Sequence, residues 1–193
     1  MEEKAREEFV MEKNTLGFWV YLMTDLLMFA ALFATFAVLR NNTFGGPSGK
    51  ELFSLPYVFT ETMILLTSSF TAGLGVIAAH EKKKKKVLIL FGITLILGLS
   101  FLSMEVSEFS KLIHEGNSFQ RSGFLSSFFT LVGSHGLHIT FGSLWMFLML
   151  INVNKKGLTP GNIRKLTLLS LFWHFLDIVW IFIFTIVYLM GAI

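Results

Sequence analysis

The last apolar run, residues 166–193, carries Phe172-Trp173-His174-Phe175-Leu176-Asp177-Ile178-Val179-Trp180 at its centre. Helical residues rise 1.5 Å each, so about 20 of them cross the roughly 30 Å hydrocarbon core of a bilayer, and this run is long enough to do so. Yet a histidine and an aspartate lie well inside it. An ionisable group at that depth costs about 2.5–3.5 kcal/mol on insertion scales, so such groups persist where they serve function or helix contact. The chemistry of the chain is sought around His174 and Asp177.

Four further runs of this kind precede it: 16–39, 57–79, 87–104 (extendable to 109) and 124–151. Of the 193 residues, 53% are hydrophobic, 15% are charged and 22 are Phe. A soluble protein would have to wrap five such helices, and this chain is too short to supply the wrapping. The fold class is therefore all-α, an integral membrane bundle of five spans. It forms one domain, 16–193, after an N-terminal tail, 1–15. No internal repeat is visible.

Lys and Arg set the orientation. Lys4, Arg6, Lys13, Lys82 to Lys86, Lys155, Lys156, Arg164 and Lys165 fall on one side, and Arg40, Lys50, Lys111 and Arg121 on the other. The split is 12 against 4. By the positive-inside rule the N-terminus is cytoplasmic and the C-terminus outside. The glutamates of the tail contribute little to that rule, and the tail reads as a solvated or surface helix. It lacks the apolar core and cleavage site of a signal peptide.

The five-lysine run sits in a short loop between spans, where it anchors topology against anionic lipid and gives no ground for a nucleic-acid partner. The formal charge of +3 thus reflects topology. The chain has no Cys, which excludes disulfides, thiolate metal sites, iron–sulfur clusters and c-type haem attachment. The first external loop, from Asn41 to Gly49, is rich in turn residues. Pro56 is expected to start the second helix, and Pro160 to lead into the fifth. Thr71, Gly75 and Ala79 share one helix face, as do Gly136, Thr140 and Ser143, a pattern that lets membrane helices approach closely.

Intramembrane polar residues recur at similar depth. Asp25 lies nine residues into the first span, about 13 Å from its cytoplasmic start. His174 and Asp177, one turn apart on one face, lie about 12–17 Å deep. His135 and His138 are a similar pair near the middle of the fourth span. A second set, Glu61, Glu105 and Glu108, lies nearer the outside, not far from Arg40 and His114. Three readings of these residues stand on sequence alone. Imidazoles and carboxylates can tie helices together by hydrogen bonds. His135, His138, His174 and Asp177 can supply donors to zinc, iron or copper. Asp25, His174 and Asp177 can pass protons. Serine catalysis at Ser134 is a poor fit, because neighbouring residues on a helix point in different directions. Trp19, Trp145 and Tyr188 are placed as interfacial anchors, while Trp173 and Trp180 form a stripe for core packing or lipid stacking.

Together, Gly133-Ser134-His135-Gly136-Leu137-His138-Ile139 and Phe172-Trp173-His174-Phe175-Leu176-Asp177-Ile178-Val179-Trp180 resemble the paired signature of subunit III of the haem–copper terminal oxidases. Leu22-Met23-Thr24-Asp25-Leu26-Leu27-Met28-Phe29 resembles that family's first core helix, with Asp25 where mitochondrial-type members carry Glu. Met104-Glu105-Val106-Ser107-Glu108-Phe109 matches a third stretch. The resemblance covers residues 16–193, and the five spans are most similar to the bacterial cytochrome bo-type ubiquinol oxidase group.

The resemblance implies a bundle split by a lipid-holding cleft, with no catalytic residue, redox cofactor or metal in this chain. Haem and copper would belong to a partner, subunit I. The chain would support assembly, stability and proton uptake of that subunit in a bacterial plasma membrane. In these terms Asp25 is expected on the proton-uptake side or at a partner contact. His135, His138, His174, Asp177, Glu61, Glu105 and Glu108 are expected in interhelical polar contacts. Arg40, Arg121, Arg164 and Lys165 are candidates for phospholipid headgroups. Subunit III of a cytochrome c oxidase, a stand-alone proton or ion transporter and a di-histidine metalloenzyme are the rival readings.

Overall fold

A computed structural model describes residues 2–46 and 49–192, the side chains of residues 2–12, 14, 50, 51 and 192 apart. Pro47 and Ser48 of the external loop, Ile193, and the side chains of Lys4, Arg6 and Lys50 therefore lie outside the described residues. Among the described residues every regular element is helical: α1 (Glu2–Leu39), α2 (Gly49–Leu52), α3 (Leu55–His80), α4 (Lys84–His114), α5 (Gly123–Lys156) and α6 (Pro160–Ile183), which continues through a π-helical stretch (Phe184–Leu189) into α7 (Met190–Ala192). Five segments are long and apolar enough to cross a membrane: Thr15–Leu39, Leu55–His80, Lys84–His114, Gly123–Lys156 and Pro160–Leu189.

Helix ends outrun the apolar runs for a local reason. The Thr159 hydroxyl accepts the Asn162 N–H at 3.3 Å and Pro160 occupies the first turn, so α6 begins six residues before the run that starts at 166. Arg164 and Lys165 are thus helical. Ser122 caps α5 in the same way, accepting the Leu125 N–H at 3.1 Å. Gly157, at φ 74°, ends α5 in the left-handed region that favours glycine. Capping chemistry fixes where a helix starts, whereas hydropathy fixes only which part lies in lipid. The α3–α4 turn is tighter than the lysine run suggests: Lys82 adopts φ 56° and Lys83 pairs with Glu81 at 2.7 Å. Exposed Glu81 is held below the usual carboxylate range by its hydrogen bond to the Lys83 ammonium.

Helices α4 and α6 each pack against both α3 and α5, and α1 lies on the outside against α5 with a thinner contact to α6. At the basic end Lys84 donates to the Asn154 carbonyl at 2.9 Å, and Asn152 donates to Asn162 Oδ1 at 3.0 Å. These bonds tie the start of α4 to the α5–α6 turn. The core is centred on Trp173, which is fully buried. Its ring fills a slot opened by two glycines. A Cβ on Gly98 would stand 2.7 Å from the ring, and one on Gly142 3.1 Å. Gly98→Ala should therefore destabilise the bundle by about 1–3 kcal/mol through overpacking, measurable as a lower unfolding temperature in detergent.

Candidate functional site

The polar residues singled out in the sequence fall into four separate settings. Asp25, buried on α1, faces His138 of α5, with Oδ2 3.6 Å from Nε2. That separation is too long for a hydrogen bond but close for an ion pair. His138 Nδ1 lies 2.7 Å from the Ser134 carbonyl, which can only accept, so Nδ1 carries a proton. Phe29 packs on the imidazole at 5.3 Å between ring centres. This pair joins α1 to the rest of the bundle.

His135 points the other way, into the core. Its Nε2 donates to the Leu176 carbonyl of α6 at 3.2 Å, while buried Nδ1 has no partner. The ring lies between Trp180, at 5.1 Å, and Phe101, at 5.8 Å. His135 and His138 therefore serve different helices despite being one turn apart.

His174 and Asp177 meet α3. Ser69 Oγ lies 2.5 Å from His174 Nδ1, and the Ser170 hydroxyl lies 3.3 Å from Nε2. Asp177 also neighbours Ser69, and its Oδ1 has no partner. Of the α3 hydroxyls the sequence marks only Thr71, for close packing, yet Thr62, Ser68 and Ser69 organise this interface. Trp173 Nε1 donates to Ser68 Oγ at 2.9 Å and Trp180 Nε1 to Thr62 Oγ1 at 3.0 Å. Because α3 and α6 run in opposite directions, the later tryptophan meets the earlier hydroxyl. The signal was the run Leu66-Thr67-Ser68-Ser69, which looks like ordinary helix-packing residues until a partner is known. The Trp stripe is thus core, pinned by hydrogen bonds.

The glutamates gather at the end opposite the lysine turn. Glu61 is fully buried and neither carboxyl oxygen has a partner. Glu105 lies against Gly136, where a Cβ would collide with its carboxyl group, and its Oε2 is unpartnered. Glu108 accepts the Tyr188 hydroxyl at 2.9 Å. Tyr188 was expected at the interface as an anchor. Instead it is fully buried among Phe53, Phe128 and Trp180. The π-helical stretch, in which the Met190 N–H reaches the Thr185 carbonyl, shifts the register that would otherwise place this ring by the simple helical period.

Of the basic candidates, Arg40, Arg121 and Lys165 are exposed. Arg121 donates to Asn117 Oδ1 at 2.6 Å. Arg164 is partly buried and donates to Thr15 Oγ1, joining α6 to α1. Among the described residues no three His, Asp or Glu side chains converge closely enough to hold a metal ion. Between α1 and α6 runs a groove of about 550 Å³ whose walls include Leu22, Leu26, Phe33, Phe175 and Phe182, with His174 at its edge. Its walls suit an acyl chain and offer no set of polar groups to orient a reacting molecule.

The described residues form a helical bundle with five segments able to span a membrane, in which ionisable groups of one helix meet groups of another. The chain matches the family model described as cytochrome c oxidase subunit III over residues 3–192. It is 56% identical over 177 residues to the cytochrome bo(3) ubiquinol oxidase subunit 3 of Pseudomonas aeruginosa, covering 92% of this chain and 85% of that relative. It is 49% identical over 181 residues to the quinol oxidase subunit 3 of Bacillus subtilis (92% and 87%) and 48% over 178 residues to the cytochrome c oxidase subunit 3 of Bacillus sp. strain PS3 (92% and 86%). The chain belongs to the cytochrome c oxidase subunit III family.

Proposed function

We propose that this chain is the third subunit of a bacterial quinol-oxidising terminal oxidase and performs no redox step itself. The observation that carries the reading is its 56% identity, across nearly its whole length, to a subunit of a ubiquinol oxidase. Haem and copper reside in a larger subunit I, which reduces oxygen and moves protons across the plasma membrane. This chain packs beside it with the N-terminus and lysine-rich turn in the cytoplasm. The Asp25–His138 pair lies on the proton-uptake side, where it holds α1 in place. An acyl chain of a bound phospholipid fills the groove between α1 and α6, and Arg164 and Lys165 at the basic end meet headgroup phosphate.

Purification in mild detergent should bring the chain down with a haem-bearing subunit of several times more spans, and the preparation should consume oxygen with quinol. Deleting the chain should leave the haem spectrum in the membranes while activity decays faster during sustained turnover. Isolation of the chain alone, with no haem absorbance, would overturn the reading. A transporter would instead show liposome flux that Asp25→Asn abolishes. The relative in Bacillus sp. strain PS3 favours a second reading, a cytochrome c oxidase, and the electron donor accepted by the purified complex decides between them.

A further inference from the structure

At the end of the bundle opposite the lysine turn, the start of α3 and the end of α4 enclose a cavity of about 310 Å³. Ser54 and Tyr57 line it from one side, and Glu108, Lys111 and Glu115 from the other. Lys111 and Glu115 are exposed at its mouth, with Nζ and Oε1 4.0 Å apart. The space is roomy and polar enough to admit water. Glu108 is half-buried and belongs both to the cavity wall and to the interior. Its Oε2 accepts the hydroxyl of fully buried Tyr188 at 2.9 Å.

Two further carboxyls adjoin Glu108. Glu105 precedes it by one turn on the same face of α4 and is pressed against Gly136 of α5. Glu61 follows Tyr57 by one turn on α3 and comes near both Glu108 and Glu105. At this level the Tyr57 hydroxyl donates to the Met104 carbonyl at 3.0 Å, tying α3 to α4. Glu61 is fully buried with neither oxygen bonded, and Glu105 is 3% exposed with Oε2 unbonded.

The titratable groups facing these carboxyls are Tyr57 of α3, Lys111 and Glu115 of α4 and its cap, Tyr188 of the π-helical stretch and His135 of α5. None of them gives Glu61 or Glu105 a compensating positive charge. Lys111 stays at the mouth beside Glu115, and His135 spends Nε2 on the Leu176 carbonyl between Trp180 and Phe101. A buried carboxylate with neither donor nor cation costs several kcal/mol, so Glu61 and Glu105 are held as neutral acids. Each therefore carries a proton, and Glu108 is the carboxyl of the three that also meets the cavity.

We propose that Glu61, Glu105 and Glu108 form a proton-holding site that exchanges with water through the α3–α4 cavity. Glu108 is the entry group. It takes a proton from a hydronium ion in the cavity and returns to carboxylate as that proton passes to Glu61 or Glu105; release runs the same steps backward, with no change of oxidation state. The site stands apart from the Asp25–His138 pair of α1 and α5 and does not depend on which electron donor the complex uses.

The test is infrared spectroscopy of the full chain in the assembly with which it purifies, read at the C=O stretch of protonated carboxylic acids at pH 7. Glu61→Gln and Glu105→Gln should each remove one such band from the parent spectrum, and Glu81→Gln, at the opposite end, should remove none. On mixing with D2O the parent bands should shift down, and Glu108→Gln should slow that shift at least about tenfold. Should Glu105→Gln fail to assemble, Glu61→Gln carries the band assignment alone. An acid band lost in neither variant means that the carboxyls are ionised and overturns the site. Parent bands that never shift in D2O, or a shift equally fast in Glu108→Gln, overturn the exchange route.

Discussion

Trp173→Ala is expected to be the most damaging single substitution, costing about 3–5 kcal/mol. The indole is completely buried, sits in the slot left by Gly98 and Gly142, and donates to Ser68 Oγ at 2.9 Å. Truncation would leave a cavity bounded by α3, α4, α5 and α6 together, and helices held by close contact cannot collapse into it without losing other contacts. The buried Ser68 hydroxyl would also lose its donor. Two further variants separate these effects. Trp173→Phe keeps most of the volume and removes the hydrogen bond, and should cost clearly less than the alanine change. Ser68→Ala should cost about 0.5–1.5 kcal/mol, the ordinary net worth of one hydrogen bond. Reversible unfolding in detergent provides the scale, and the amount of chain recovered in membranes gives an independent readout. If Trp173→Ala unfolds at the parent temperature, Trp173 is not the centre of the core.

Glu61→Met is expected to act in the opposite direction, stabilising the isolated fold by about 1–3 kcal/mol. Glu61 is fully buried with two unpartnered oxygens, so the native structure carries its desolvation cost with no bond in return. Methionine has similar length and no polar atom, and it adapts to irregular space. The unfolding midpoint should rise. A midpoint that falls instead would mean that Glu61 has a stabilising partner, and the unpaired description would fail.

Several parts of the architecture were legible before any coordinates. Five apolar runs predict five spans because a bilayer demands that every backbone group be satisfied within its own helix. The position of Asp25, His138, His174 and Asp177 along their helices was also readable, since rise per residue converts sequence position directly into distance from the helix end. Boundaries were less legible. Helix α6 begins at Pro160, where Thr159 caps it, although lipid-like composition starts later.

Pairing was the part that sequence left open. His135 and His138 are spaced so that both could reach one partner, yet one reaches α6 and the other α1. Their direction depends on which helices flank α5, and no local pattern records that. The same holds for Ser68, Ser69 and Thr62, ordinary small residues until antiparallel packing sets them opposite Trp173, His174 and Trp180. Tyr188 shows a further limit: its place near the end of the last run suggests an interfacial anchor, whereas packing with Phe53 and Phe128 holds the ring in the core.

By itself, then, the sequence determined the class of fold, the number of spans, the position of each ionisable group along its helix and the resemblance to oxidase subunit III. These follow from hydropathy, helical rise and motif, which are properties of consecutive residues. Tertiary structure alone decided which imidazole meets which helix, that the tryptophans are pinned by hydroxyls, and that Glu61 of α3 comes near Glu105 and Glu108 of α4. Those outcomes depend on the mutual rotation of helices far apart in the chain, which close packing fixes only when the whole bundle is assembled.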